Sequence, residues 1–543
     1  MSYSNLQQAI LDLLDRPAVI LILATSSILV IIYVLYYLLL LRPSSKLLPN
    51  NLPIVGAKPG EWFPLLRATW RNTLDMKTAT EIAYQQYSDR ACFLPMAGAQ
   101  LFVHLPHKEL QWFVERPEAE VSVREQTVDS LQFNHTIMDP DLAHKPAHIA
   151  VVSGPLTRDI SSLIPPLLDE IKSAVDTVWG VGSSMEVCVF DSMCRVVGQA
   201  TNRVFIGLPF CRDARLLNAA TSFSMDIPMA ATLLQLFWAP LRPHLAPIIT
   251  LPNRIHTNRF FHIVRPEIRR RLQGYGGGGG GGGAGEKGLR HNNDFLQWSI
   301  DQAMGYQDPY YRKVDTLAGR VLLNNFTSIH TSSFAITHVI LDLVASKREH
   351  IDELRDEVVA VLAKHNGEWN KRALADMVKM DSCLRESARL NSFVVTATNR
   401  KIVKPEGVTT PSGRCSTHLP KGTFVCGPSY PVLHDPAIYP DPYTFRPFRF
   451  AGGSGSSNQG EEGKGEARLD LTRTSVDYVP FGHGRHACAG RFFAASTLKM
   501  ILGYILINYD FEMQEKRAEN VWIAANRMPD MKATIRVKRR TGK

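Results

Sequence analysis

The apolar positions of this chain fall into three kinds of run. The first, Ala18 to Leu41, is dense in Ile, Leu, Val and Tyr and carries no charge. A helix that spans a bilayer needs about 20 such residues, so this run predicts an uncleaved transmembrane anchor over residues 17–41. A cleaved signal peptide is the competing reading, but the run is too long, Asp12 and Asp15 precede it, and no small-residue cleavage pattern closes it. The second kind is helical. Ala318 to Leu343 is largely apolar, has no Gly or Pro after Gly319, and is long enough to cross a domain core. Arg491 to Ile507 reads as another mostly apolar helix, and Asp381 to Leu390 as a shorter one. Asp141 to Ile171 predicts short helical stretches broken by Pro146, Pro155 and Pro165. The third kind alternates: Val394 to Ile402, rich in Val and Thr, suits a strand. The sum is a mainly α chain with a small β region.

Punctuation sets the domain limits. Residues 1–16 form a short tail before the anchor, and Pro43, Pro49, Pro53 and Gly56 make a stiff hinge over residues 42–56. Residues 57–543 then form one large domain. Two low-complexity stretches interrupt it, 274–288 with an unbroken glycine run and 451–468 rich in Gly, Ser and Glu, and both read as flexible surface loops. Arg42 and Lys46 follow the anchor while the tail before it is slightly acidic, which places the main domain in the cytosol. The sequons at Asn134 and Asn325 are then expected to carry no glycan.

Composition narrows the class. The eight cysteines are scattered without Cys-x-x-Cys spacing, which argues for a reducing compartment and against a disulfide framework or a zinc site. The net charge of +10 is spread along the chain rather than gathered in a tract, so nucleic-acid binding is a weak reading. A basic surface facing an acidic redox partner or anionic lipid fits better.

Four local patterns carry candidate chemistry. Phe326 to Ser333 places Thr327, Ser328, His330, Thr331, Ser332 and Ser333 on an otherwise apolar helix. Hydroxyls there can bond back to the preceding turn and bend it, while a histidine near its reference pKa can relay protons. Glu386 and Arg389 stand three apart and share a helix face, an arrangement that alone is ordinary on solvated helices. Pro442 to Phe450 is proline-punctuated and cannot be regular helix. Last comes Phe481-Gly482-His483-Gly484-Arg485-His486-Ala487-Cys488-Ala489-Gly490. Its glycines permit close approach of the backbone, and Cys488 would open a helix whose dipole favours a thiolate. The alternative for Cys488 is an inert buried thiol.

The last string resembles the haem-binding loop of the cytochromes P-450, whose pattern is Phe, two residues, Gly, one residue, Arg, one residue, Cys, one residue, Gly. Phe481, Gly484, Cys488 and Gly490 match, and His486 stands in place of the arginine that pairs a haem propionate, a duty that His486 or Arg485 would take. The resemblance extends to Glu386, Arg389 and Arg449 as the family's buried Glu-Arg-Arg triad, and to Thr331 as the threonine that helps deliver protons. Thr327 and Ser328 replace the family's small residue and Gly before it, and His330 replaces its acid. Arg400, ending the strand, is a further candidate for a propionate, and His144, His148, Thr157 and Arg158 are weighed for the same role or for packing.

The resemblance implies the P-450 fold preceded by a transmembrane helix, with haem b bound through the Cys488 thiolate. It implies a monooxygenase that draws electrons from NADPH through cytochrome P-450 reductase, with cytochrome b5 as a further partner, and oxidises a lipophilic small molecule at the endoplasmic reticulum membrane. Arg485, Arg491 and Lys499 are candidates for the reductase-docking surface. Phe326, Ile329, Phe393 to Thr398 and parts of Val121 to Ile137 are expected to line the pocket. The Arg485-His486 pair and the run Arg491-Phe492-Phe493-Ala494 resemble fungal members, which points to secondary metabolism and a terpenoid or meroterpenoid. Two other readings stay open: the same fold rearranging or dehydrating a substrate without reductase, and a haem protein that only binds ligand.

Overall fold

The apolar stretch predicted to cross the core does so as one helix, Val314–Val344, 31 residues long, or about 46 Å at 1.5 Å per residue. The computed structural model describes residues 52–96, 101–182, 184–276, 292–411, 415–452 and 469–540, with Pro17, Leu21 and residues 24–32. The helices used below, in chain order, are α1 (Val123–Ser130), α2 (Ala147–Val151), α3 (Ile160–Trp179), α4 (Val189–Phe205), α5 (Ala214–Gln235), α6 (Leu251–Gly276), α7 (Phe295–Met304), α8 (Val314–Val344), α9 (Val378–Leu390) and α10 (Arg491–Asn508).

The central helix α8 packs against α4, α5, α6 and α10, and α3 packs against α4 and α10. Apolar stripes explain the arrangement: Leu163, Ile164, Leu167, Leu168 and Ile171 of α3 and Val189, Met193, Val196, Val197 and Ala200 of α4 are buried in one continuous core with α8 and α10. A buried amide pair joins α4 to α8, Asn202 donating to Asn325 Oδ1 at 2.7 Å. Asn325 is fully buried, so the sequon there lies out of reach of modification whichever compartment holds it.

Five strands form the main sheet: β1 (Cys92–Pro95), β2 (Leu101–His104), β3 (Val121–Ser122), β4 (Thr396–Ile402) and β5 (Phe424–Pro428), in the order β1-β2-β5-β4-β3. Only β2 and β5 run parallel. The strand predicted at Val394 to Ile402 is β4, shortened by two residues. Its pairing with β5 shifts register between Ala397 and Arg400, where Thr398 has φ +54°. A bulge of this kind re-aims the side chains beyond it.

One expectation is corrected here. Pro165 does not break a helix, because α3 runs from Ile160 to Trp179 through Pro165 and Pro166. Both prolines sit in its second turn, and the carbonyls they leave unbonded belong to Ser161 and Ser162, which are exposed. The stretch 152–156 containing Pro155 is a π-turn rather than a gap.

The tail, most of the anchor and hinge, and the bulk of the two low-complexity stretches lie outside the described residues. Residues 24–32 of the anchor are helical, with Ile28, Leu29, Val30, Ile31 and Ile32 all exposed. Among the described residues no helix is long and apolar enough to cross a membrane.

Candidate active site

A cavity of about 780 Å³ lies between α1, α2, α8, the segment before β4 and the Phe481–Gly490 loop. Of the eight cysteines only Cys488 lines it. Its thiol is exposed, and what it is exposed to is this cavity. Burial pushes its pKa up, while the backbone N–H groups of Gly490 and Arg491 and the Arg491 charge pull it down.

The loop that presents Cys488 is built by backbone. Gly482 N donates to Val479 O at 2.8 Å, Ala487 N to Gly484 O at 3.1 Å and Cys488 N to Phe481 O at 2.8 Å. Gly484 has φ +74°, and a Cβ there would meet Val114 Cβ at 2.9 Å and Val114 O at 3.1 Å. Both counts exclude a side chain. Gly484→Ala is expected to cost about 2 kcal/mol or more, from the left-handed conformation plus the clash, seen as a lower melting temperature. Unchanged melting would show that the loop can reshape.

The cavity face of α8 carries Asn324, Thr327, Ser328, Thr331 and His338. Thr331 Oγ1 donates to Thr327 O at 2.7 Å and Ser328 Oγ to Asn324 O at 2.7 Å. With their hydrogens directed back along the helix, these hydroxyls offer lone pairs to the cavity. His330 does not join them. One residue is 100° of helix, and its ring is turned to α5 and α4, with Nε2 3.1 Å from Thr221 O and Nδ1 3.9 Å from Cys194 Sγ. Burial lowers its pKa, and no proton path from it to the cavity is visible. Ile329 is likewise core rather than lining. Phe326, Phe393 and Val394 line the cavity as expected, as do Val123, Thr127, Val128, Leu131 and Phe133, whereas Val395 to Thr398 do not.

Two cationic groups, Arg124 and His486, line the cavity, and a third, Arg400, lies behind the lining, close enough to His486 to bear on its charge. Arg400, beyond the bulge in β4, is 1% exposed with Nε and Nη1 unpartnered, and burial lowers its pKa to about 10, so it stays charged near neutral pH. His486 Nε2 is 3.2 Å from Glu118, which also lines the cavity beside Arg124. Arg485 is exposed and outside the lining. Of the four polar residues weighed near Asp141 to Ile171, only His148 lines the cavity; His144 and Arg158 face Glu125 and Asp159, and Thr157 bonds Val152 O. An imidazole on the lining, a buried guanidinium with two unpartnered nitrogens behind it and a thiol on the wall suit a planar cofactor that bears carboxylates.

Beneath the loop the predicted triad is assembled. Glu386 Oε2 accepts from Arg389 Nε at 2.8 Å and Oε1 from Arg389 Nη2 at 2.9 Å, and Arg449 Nε reaches both oxygens at 3.0 Å. Arg389 Nη1 donates onward to Leu433 O and Pro442 O, and Arg449 Nη1 to Pro440 O. The cluster thus pins the irregular segment after Tyr430 to α9.

Two side chains of the site escape a reading by motif. Glu118 binds Ser122 Oγ and the Val123 and Arg124 N–H groups at the start of α1 while facing His486. His338 accepts from Arg517 Nη2 at 2.9 Å, and Arg517 also pairs with Asp342. The seven-residue spacing of Asn324, Thr331 and His338, which keeps one helix face, was the available signal for His338. For Glu118 the sequence holds none.

The sequence profile of cytochrome P450 matches residues 213–525. Cytochrome P450 monooxygenase 71 of Postia placenta is 34% identical over 76% of this chain and 79% of its own. Cytochrome P450 monooxygenase gloP of Glarea lozoyensis is 30% identical over 88% of this chain and 89% of its own. The retinoic acid bound cyanobacterial CYP120A1 structure superposes with a TM-score of 0.62 at 18% identity, over 90% of this chain and all of that one, and supports the fold alone. A haem held by a cysteine thiolate is what membership implies. The chain belongs to the cytochrome P450 family and is a P450 monooxygenase.

Proposed function

We propose that the cavity holds haem b with Cys488 as the axial thiolate. The observation that carries this is the placement of Cys488, alone among the cysteines, in a cavity shared with Thr331 and His486, with buried Arg400, whose Nε and Nη1 lack partners, close enough to His486 to bear on its charge. Arg400 and His486 would hold the carboxylates, and the Glu386-Arg389-Arg449 cluster would keep the proximal segment rigid. Haem bound to a thiolate supplies an oxidant able to attack unactivated C–H bonds. The residues supply position and protons: Thr331, its hydroxyl open to the cavity, receives water and passes a proton onward.

Electrons would come from NADPH through cytochrome P-450 reductase, with cytochrome b5 as a second donor, docking near Arg485 and Arg491. Lys499 leaves the proposed surface, because it is buried in an ion pair with Asp381 and a bond to Leu374 O. The substrate is a lipophilic small molecule, matched to Val123, Val128, Leu131, Phe133 and Phe326 on the cavity wall. A terpenoid or meroterpenoid of fungal secondary metabolism follows by analogy with fungal relatives. The apolar 17–41 run would anchor the chain in the endoplasmic reticulum membrane, and exposed Trp62, Phe63, Trp70 and Leu74 just after the hinge support a membrane-facing side.

A carbon monoxide difference spectrum of the reduced protein tests the ligand. A Soret band typical of thiolate ligation is expected, and one typical of imidazole would overturn the assignment. Turnover that needs no NADPH or reductase would point instead to rearrangement or dehydration. Thr331→Ala is expected to lower product formed per NADPH by roughly 10²-fold, the low end for a positioned proton donor, with peroxide released in its place. Unchanged coupling would remove Thr331 from the proton path.

A further inference from the structure

Two asparagines stand side by side on α8, and they are satisfied unequally. Asn325 accepts from Asn202 at 2.7 Å and donates back to Val321 O at 3.0 Å. Asn324 lines the cavity and is 5% exposed, and its Nδ2 has no hydrogen-bond partner. A buried amide nitrogen left unpaired is unfavourable, because it has given up water and gained nothing in exchange. The wall around it supplies no acceptor. Leu323 and Phe326, its neighbours on the lining, are apolar. The hydroxyls of the next turn are committed to the helix: Thr327 Oγ1 and Ser328 Oγ both donate to the carbonyl of Asn324 itself, at 3.1 and 2.7 Å. An acceptor for Nδ2 has to come from whatever fills the cavity.

The position of Asn324 along α8 says where on a ligand that acceptor sits. Asn324 precedes Thr331 by seven residues, so the two share a face, about 20° apart around the helix and about 10 Å apart along it. Both line the same cavity, whose wall also carries Val128, Leu131 and Phe133, all apolar. One amide donor is thus set apart from the Thr331 hydroxyl by the length of a small hydrocarbon skeleton, in surroundings that suit such a skeleton.

We propose that Asn324 is a specificity-determining residue that donates from Nδ2 to a carbonyl or hydroxyl oxygen of the substrate, about 10 Å along α8 from the carbon presented beside Thr331. The substrate is then a lipophile that already carries oxygen, so an oxygenating step, or a synthesis that leaves oxygen in place, comes before this reaction. The inference rests on the reading that the cavity is the site of a haem monooxygenase.

The test uses full-length holoenzyme, wild type and Asn324→Leu, and two matched pairs of probes: decane with methyl octyl ketone, and androstane with its ring-A ketone. Dissociation constants come from equilibrium dialysis, which needs no haem signal, and the carbon monoxide difference spectrum is recorded on the same samples. Wild type is expected to bind the ketone of at least one pair about tenfold more tightly than its hydrocarbon, the worth of one hydrogen bond. Asn324→Leu is expected to bind the two members of that pair alike. Should the leucine variant fail to fold, Asn324→Ala takes its place with the same expectation. Equal binding within both pairs by wild type, a ketone preference that survives the substitution, or binding of no probe to wild type would each overturn the proposal. A wild-type spectrum without the thiolate-type band refutes the haem reading instead, and the dialysis result then still decides whether Asn324 selects for oxygen.

Discussion

Cys488→Ser is expected to yield a folded protein without monooxygenase activity, whose reduced carbon monoxide complex lacks the thiolate-type Soret band. The loop is held by backbone bonds such as Cys488 N to Phe481 O, which a serine keeps, so the change falls on the ligand and not on the fold. A serine hydroxyl is neutral at neutral pH and cannot replace a soft anionic sulfur. No other cysteine can compensate. Cys92, Cys194 and Cys211 are buried, and burial raises each thiol to about 12; burial also raises Cys383 and Cys426 well above the ordinary thiol range, and none of them lines the cavity. Circular dichroism checks the fold and the difference spectrum the ligand. A serine variant that retained the thiolate-type band would show that the sulfur ligand lies elsewhere.

Glu386→Gln is expected to leave almost no folded enzyme. The substitution keeps the shape and removes the one anion between Arg389 and Arg449, whose side chains are 0% and 5% exposed. Breaking a buried ion pair by deleting one partner costs about 3–5 kcal/mol, against a total stability of roughly 5–15 kcal/mol for a domain. The loss spreads, because Arg389 and Arg449 also carry the carbonyls of Leu433, Pro440 and Pro442, and that segment leads to the Cys488 loop. Soluble yield, haem content and thermal unfolding are the measurements. A glutamine variant that melts like wild type would show that the cluster is dispensable.

The large elements were legible because their signals are local. The apolar run of α8, the alternation of β4 and the Glu386-Arg389 spacing depend only on a chain's own period, and the loop glycines on backbone geometry. Side-chain aim was less legible. His330 and Thr331 are neighbours in one polar cluster, yet only Thr331 reaches the cavity, since the phase of α8 is set by what packs against it. Arg485 and His486 are likewise adjacent and chemically alike in sequence, and only His486 faces inward. Lys499 reads as a surface cation until Asp381 of α9 is seen beside it.

The sequence by itself determined the family, the mainly helical fold, the cysteine at the centre of the site and the members of the charged cluster, since each rests on residue types at fixed spacing. Tertiary structure alone decided which side chains share the cavity. It brought Glu118 to His486, buried Arg400 with Nε and Nη1 unpartnered, and carried α3 through two prolines. The reason is that burial and electrostatic partnership are properties of three-dimensional neighbourhood: residues 100 or more positions apart meet there, and no local pattern records the encounter.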